Sequence, residues 1–211
     1  MIGIIDYGMG NLYSVSKALE RMNYEYIISC SPEELRQTKG LILPGVGSFK
    51  DAMDILNETG LAAFIKDEVN SGTPLLGICL GMQLLFQESE ENGHSAGLGL
   101  LNGKIIKIPG VTSSGESYKV PHMGWNELEK KNPSPLLKGV EGGHVYFVHS
   151  YYVATPDQEV VLASSSYDVE VPAVVGKGNV FGTQFHPEKS SELGLAILKN
   201  YAAIVEKKVT V

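Results

Sequence analysis

The chain has 211 residues, of which 43% are hydrophobic and 19% charged, with a formal net charge of −7. Such a balance excludes a disordered chain and suits one α/β domain with a substantial core. Its only adjacent basic pairs, Lys130-Lys131 and Lys207-Lys208, form no stripe that neutralises a row of phosphates, so no nucleic-acid partner is expected.

Residues 2–6 read as a strand. Residues 11–22 read as a helix, because Leu12, Val15, Leu19 and Met22 fall on one face. Residues 24–29 form the next strand, and Ser31-Pro32-Glu33-Glu34 opens a helix with Ser as cap and Pro in the first turn. A short buried strand covers 41–43 and ends at Pro44. Residues 49–70 are helical in one or two pieces, broken near Thr59-Gly60, and 75–78 form a further strand. Strand alternating with helix predicts a parallel sheet. A helix is expected over 82–88.

The second half reads as short β-rich pieces over 104–108, 125–129, 144–148, 151–154, 160–164, 171–175 and 180–185, separated by turn signals such as Gly142-Gly143. These add mixed or antiparallel strands. A closing helix spans about 192–206. No repeat, low-complexity segment or linker interrupts the chain, so residues 1–211 are expected to form one α/β domain, an open, mostly parallel sheet flanked by helices. No apolar run is long enough to cross a membrane and the first residues carry no signal-peptide pattern, so a cytoplasmic enzyme is expected.

The chemistry centres on Gly77-Ile78-Cys79-Leu80-Gly81-Met82-Gln83, a thiol on a tight strand-to-helix turn with a glycine two residues to either side. A helix N-terminus favours thiolate. A lone cysteine is most often a small apolar core residue, and Cys30, without such a context, is read that way. Downstream lies His186-Pro187-Glu188. Proline pushes His186 into an extended conformation, in which residues two apart share a side. Glu188 can then hold one imidazole nitrogen, giving a nucleophile, a base and an orienting acid.

Attack on an amide also needs donors for the oxygen that becomes negative. The Leu80 amide is one candidate. Pro44-Gly45-Val46-Gly47 supplies the other, provided the 41–43 strand ends beside the Cys79 elbow. Gly8-Met9-Gly10 lacks the third glycine of a dinucleotide loop, and Gly97…Gly103-Lys104 misses phosphate-loop spacing. The histidines lack metal-ligand grouping. No cofactor and no metal are expected. Trp125 reads as core, with an interface anchor as the alternative.

The Cys79 and His186 motifs resemble those of the class I (triad) glutamine amidotransferases, a family with a flavodoxin-like sheet. Five blocks resemble the glutaminase subunits of imidazole glycerol phosphate synthases, and the opening block, Pro44-Gly45-Val46-Gly47 and Pro121-His122-Met123-Gly124-Trp125-Asn126 are what narrow the likeness to them. The five are Asp6-Tyr7-Gly8-Met9-Gly10-Asn11-Leu12, the segment from Leu43 to Phe49, the segment from Lys119 to Asn126, the segment from Tyr146 to Tyr152, and the segment from Gly182 to Ser190. The resemblance implies hydrolysis of L-glutamine to glutamate and ammonia through a Cys79 thioester, with the ammonia passed to a TIM-barrel cyclase subunit in a heterodimer. It implies Cys79 as nucleophile, His186 as base and acid, and Glu188 as orienter. Val46, Gly47 and Leu80 would hold the oxyanion, while Gly47, Gln83, Ser150 and Tyr151 would hold the amino-acid end of glutamine. Asn11, Trp125, Tyr146 and Lys189 would lie at or near the cyclase interface. The family also suggests an oxyanion strand that rests with a carbonyl in the hole until the partner's ligand favours the turned form. Two alternatives remain: a glutaminase serving vitamin B6 or anthranilate synthesis, and a non-catalytic α/β module that docks a partner.

Overall fold

A computed structural model describes residues 1–207, so Lys208 of the second basic pair lies outside the described residues. In chain order the first half contains β1 (Ile2–Ile5), α1 (Leu12–Arg21), β2 (Tyr26–Ser29), α2 (Pro32–Leu35), β3 (Leu41–Gly45), α3 (Phe49–Glu58), α4 (Leu61–Asn70), β4 (Leu75–Cys79) and α5 (Leu80–Leu84). The expected Ser31 cap of α2 is in place, and α1 proves to be capped as well. Asn11 accepts from the Ser14 amide at the start of α1, and Ser31 accepts from the Glu34 amide at the start of α2. Gly60, at φ +74°, breaks the α3–α4 run where the sequence signals it.

The second half contains β5 (Glu88–Ser89), β6 (Ser95–Ala96), β7 (Lys104–Lys107), β8 (His122–Lys130), β9 (Gly143–His149), β10 (Tyr151–Ala154), β11 (Val161–Tyr167), β12 (Val169–Lys177), β13 (Val180–Thr183) and the closing helix α6 (Ser191–Lys207). The main sheet has nine strands in the order β2-β1-β3-β4-β13-β12-β11-β8-β9. Its first five strands are mutually parallel and the rest join antiparallel, matching the expected change of character at mid-chain. A smaller sheet, β10-β7-β5-β6, packs beside it.

The apolar runs of the parallel strands are buried on both faces. Ile4, Ile42, Leu76 and Ile78 point to one side, against Val15 and Leu19 of α1 and Ile197 and Tyr201 of α6. Ile5, Leu41, Leu43 and Leu75 point to the other, against Phe49, Leu56, Phe64 and Ile65 of α3 and α4. The period of two explains how consecutive apolar residues feed two separate cores.

Two expectations need correction. The helix after the elbow covers only Leu80–Leu84 rather than 82–88. The carbonyls of Leu84, Leu85 and Phe86 accept from the amides of Leu98, Leu100 and Gly99, so a returning loop takes the acceptors that further helical turns would use. Cys30 is exposed rather than core, because β2 ends at Ser29 and the cap of α2 begins at Ser31, which leaves Cys30 in the connector.

Candidate active site

Cys79 ends β4 and caps α5 at φ 56°, ψ −112°, a conformation that L-residues rarely adopt. The turn is this tight because the backbone around it is crowded. A Cβ on Gly81 would sit 1.8 Å from the Leu43 carbonyl oxygen, and one on Gly77 would sit 2.5 Å from the Gly81 carbonyl oxygen. Both flanking glycines are therefore required by close backbone approach, as the sequence reading supposed. In register, Gly45 on β3 lies opposite Cys79 on β4. The Pro44–Gly47 segment thus leaves its strand beside the elbow, at the carboxyl ends where open α/β sheets bind ligands.

On the other side of β4, β13 runs parallel with Thr183 opposite Ile78. The chain then passes through Gln184 and Phe185 to His186, whose backbone is extended at φ −92°, ψ 98°. Glu188 lies in a 3₁₀ turn, Pro187–Lys189, and not in extended chain. The pairing holds all the same: His186 Nδ1 and Glu188 Oε1 are 2.8 Å apart, and the Glu188 side chain is fully buried. Proline fits the first position of such a turn, so the residue that makes His186 extended also starts the turn that carries Glu188 inward. Two bonds fix the segment against β9, the His186 amide donating to the Tyr146 carbonyl and the Tyr146 amide to Ser190 Oγ, and Ser190 Oγ closes the segment on itself by donating to the His186 carbonyl.

With Nδ1 taken by Glu188, Nε2 is the ring nitrogen left for Cys79, which lines the same cavity. Burial opposes a charge on His186, but the hydrogen bonds to Cys79 and Glu188 and their negative charges outweigh it and push its pKa up to about 10. The Cys79 sulfur also lies 4.0 Å from the Val148 carbonyl and 4.0 Å from the Gln184 amide nitrogen.

A cavity of about 430 Å³ opens over the sulfur, within the size range of small-molecule sites. Of the residues singled out by sequence, Val46, Gly47, Cys79, Leu80, Gln83, Ser150, Tyr151 and His186 line it. Gly47 adopts φ +102°, a conformation suited to glycine. Val46 lines the cavity too, but its amide donates to the Met9 carbonyl at 3.0 Å. In this conformation the Val46 N–H is committed elsewhere and does not serve as an oxyanion donor. Asn11, Trp125, Tyr146 and Lys189 lie outside the cavity lining. Trp125 is 52% exposed rather than core and meets the Tyr146 ring edge-on at 6.1 Å, while Lys189 is exposed beside Glu188. Met123, two residues from Trp125 on β8, is exposed as well.

Several cavity residues were not singled out by sequence: Glu91, Pro121, Val148 and His149. His149 carries no sequence signal beyond the absence of metal-ligand grouping. Among the described residues no group of three or more His, Cys, Asp or Glu is arranged to hold a metal ion, and no helix is long and apolar enough to cross a membrane. Tyr7 lies in the Asp6–Leu12 segment, whose pattern gives it no role. Its buried hydroxyl has no hydrogen-bond partner among the described residues, and burial together with the Cys79 charge pushes its pKa up.

Comparison with known proteins bears on the family and the fold. The family model "Glutamine amidotransferase class-I" matches residues 3–204. A protein of Geobacillus sp. (strain WCH70), named imidazole glycerol phosphate synthase subunit HisH, is 75% identical over 208 residues, 99% of each chain. One of the same name from Geobacillus kaustophilus is 72% identical over 97% of each chain. A crystal structure of a glutamine amidotransferase superposes with a TM-score of 0.76 over 97% of this chain and 98% of the other, at 22% identity, a likeness of fold. A thiol on a strained elbow, an imidazole and a buried carboxylate therefore sit in a chain that belongs to the class-I glutamine amidotransferase family.

Proposed function

We propose that the chain is the glutaminase subunit of an imidazole glycerol phosphate synthase, acting in histidine biosynthesis. It hydrolyses L-glutamine to glutamate and ammonia and hands the ammonia to a TIM-barrel cyclase subunit in a heterodimer. The observation that carries this reading is Cys79 and His186 lining one cavity, with buried Glu188 hydrogen-bonded behind His186. The residues 1–211 act as one glutaminase domain.

His186 Nε2 takes the Cys79 proton, and Glu188 at Nδ1 fixes the ring and stabilises the imidazolium. The sulfur attacks the carboxamide carbon of glutamine, and the oxygen takes up the negative charge. The Leu80 N–H at the start of α5 is one donor to it. The Gly47 N–H becomes the second when the Val46–Gly47 peptide turns, leaving the Val46 N–H on Met9. Each such donor is worth about 3–4 kcal/mol in comparable sites. The glycines at 45 and 47 make that rotation sterically accessible. Collapse breaks the C–N bond, and His186 gives its proton to the departing nitrogen as ammonia leaves. Water, deprotonated by His186, then hydrolyses the thioester and restores the thiol. Gly47, Gln83, Ser150 and Tyr151 hold the amino-acid end of the substrate.

Ammonia released into water at neutral pH gains a proton and loses its nucleophilicity, so a direct passage to a partner is expected. Asn11, Trp125, Tyr146 and Lys189 form part of the docking face. An exposed tryptophan and methionine beside a tyrosine are the residue types that anchor interfaces.

The test is ammonia release from glutamine by this chain alone, and by its complex with the cyclase subunit and its nucleotide ligand. The complex should be faster by at least about tenfold, the effect of roughly 1.4 kcal/mol on the barrier. Equal rates would remove the gated oxyanion strand, and no ammonia in either case would remove the glutaminase reading.

A further inference from the structure

A chain of hydrogen bonds runs from β8 to the cavity, and its direction is fixed by chemistry. Its start is the His149 ring, whose Nδ1 lies 2.9 Å from the Tyr151 carbonyl. A carbonyl only accepts, so Nδ1 carries the proton. His149 Nε2 lies 2.9 Å from His122 Nδ1. Burial disfavours a second proton on His149, pushing its pKa down to about 3, and the same cause pushes that of His122 down to about 4. Nε2 of His149 is then an acceptor, and His122 Nδ1 is its donor. That leaves His122 Nε2 as the acceptor for Asn126 Nδ2 at 3.3 Å, an amide that also donates to the Ser166 carbonyl. His122 is clamped between the Phe147 and Tyr167 rings, with centroids at 4.4 and 3.9 Å.

The Tyr151 carbonyl receives a second donor, Gln83 Nε2, at 2.9 Å. The other N–H of that amide goes to Gln184 Oε1 at 3.0 Å. Both donors of Gln83 are therefore consumed by protein, and its Oε1 alone remains. Gln184, fully buried, turns its own Nε2 toward the Cys79 sulfur. An amide with both N–H groups engaged cannot flip without losing two buried hydrogen bonds, each loss leaving an unsatisfied group.

We propose that His149, backed by His122, and Gln184 are positioning residues that lock the Gln83 side chain with only its carbonyl oxygen free, so that Gln83 meets the substrate as a pure acceptor for an ammonium group. This rests on the glutaminase reading above. It adds that selection for the charged amino end of the substrate is set outside the residues that touch it. The His122–His149 pair works only with both rings neutral. The titratable groups that line the cavity beside His149 are Cys79, Glu91, Tyr151 and His186, and Tyr167 stacks on His122.

The experiment measures KM and kcat for glutamine in the complex with the cyclase subunit, for wild type and three variants. His149→Leu removes the donor to the Tyr151 carbonyl. His149→Asn keeps a side-chain N–H near the Nδ1 position. Gln184→Met disturbs Gln83 from its other side, so a misfolded His149→Leu chain leaves the test intact. His149→Leu and Gln184→Met should each raise KM at least about tenfold with a smaller fall in kcat, the pattern of lost binding, and His149→Asn should recover most of the KM loss. Folded variants with wild-type KM, or a KM loss that His149→Asn does not recover, would overturn the proposal. Wild-type complex that releases no ammonia would overturn the glutaminase reading, and this proposal with it.

Discussion

Cys79 holds the least relaxed backbone of the site, at φ 56°, ψ −112°. Such a conformation costs on the order of 1–3 kcal/mol in a residue with a Cβ, and glycine escapes it at the expense of about 1 kcal/mol of chain entropy. Replacing the thiol in two ways separates strain from chemistry. Cys79→Ala keeps the Cβ and Cys79→Gly removes it, and both end glutamine turnover. In urea unfolding, Cys79→Gly should be more stable than Cys79→Ala by about 1 kcal/mol; equal stability would mean that the elbow stores no strain. At this scale the sequence was most informative. Cys79, His186 and Glu188 carry their chemistry in short local patterns, so each could be named before its neighbours were known. The committed Val46 amide, the unpartnered Tyr7 hydroxyl and the bonds of Gln184 could not, because each depends on a partner remote in sequence.

At the scale of elements, the site is a consequence of strand order. β4 sits between β3 and β13, which brings Gly45 and Thr183 to either side of the strand that ends in the nucleophile. The β3–β4 adjacency follows from alternating strands and helices and was expected; the parallel seat of β13 on the other side of β4 was not, because its strand lies a hundred residues downstream. The lengths were less legible. The two-residue strands β5 and β6 have too few positions for a period to show, and α5 stops at Leu84 because a distant loop takes its carbonyls. The pairing of β8 with β9 puts His122 opposite His149 in register, and this pair gives the fold a pH dependence. In the unfolded chain each histidine takes up a proton near pH 6.5, whereas in the fold the two hold out to about 4 and 3. Below pH 6.5 the unfolded state therefore binds more protons, and stability falls as pH drops from about 6.5 toward 4. The thermal midpoint of wild type should decline over that window, and that of His149→Asn should decline less steeply. Parallel declines would show that the buried pair contributes nothing to acid sensitivity.

At the scale of the molecule, the sheet carries its catalytic end and its exposed aromatic face on connected strands. Trp125 on β8 and Tyr146 on β9 lie in register and touch, and the Tyr146 backbone holds both the His186 amide and Ser190. A partner seated on Trp125 would press on the same strand that secures the base. Such a link is physical and short, and it suits an enzyme that should cleave glutamine only when a partner is ready for the ammonia. The whole scheme depends on Cys79 being a nucleophile under the control of His186. The most direct measurement is intact-mass analysis of the complex after exposure to diazo-oxo-norleucine, a glutamine analogue that alkylates an attacking thiol, with peptide mapping of the adduct. Wild type should gain a single adduct on Cys79, and His186→Ala should label far more slowly. An unmodified Cys79 in a folded complex, or labelling of the His186→Ala chain at the wild-type rate, would contradict it.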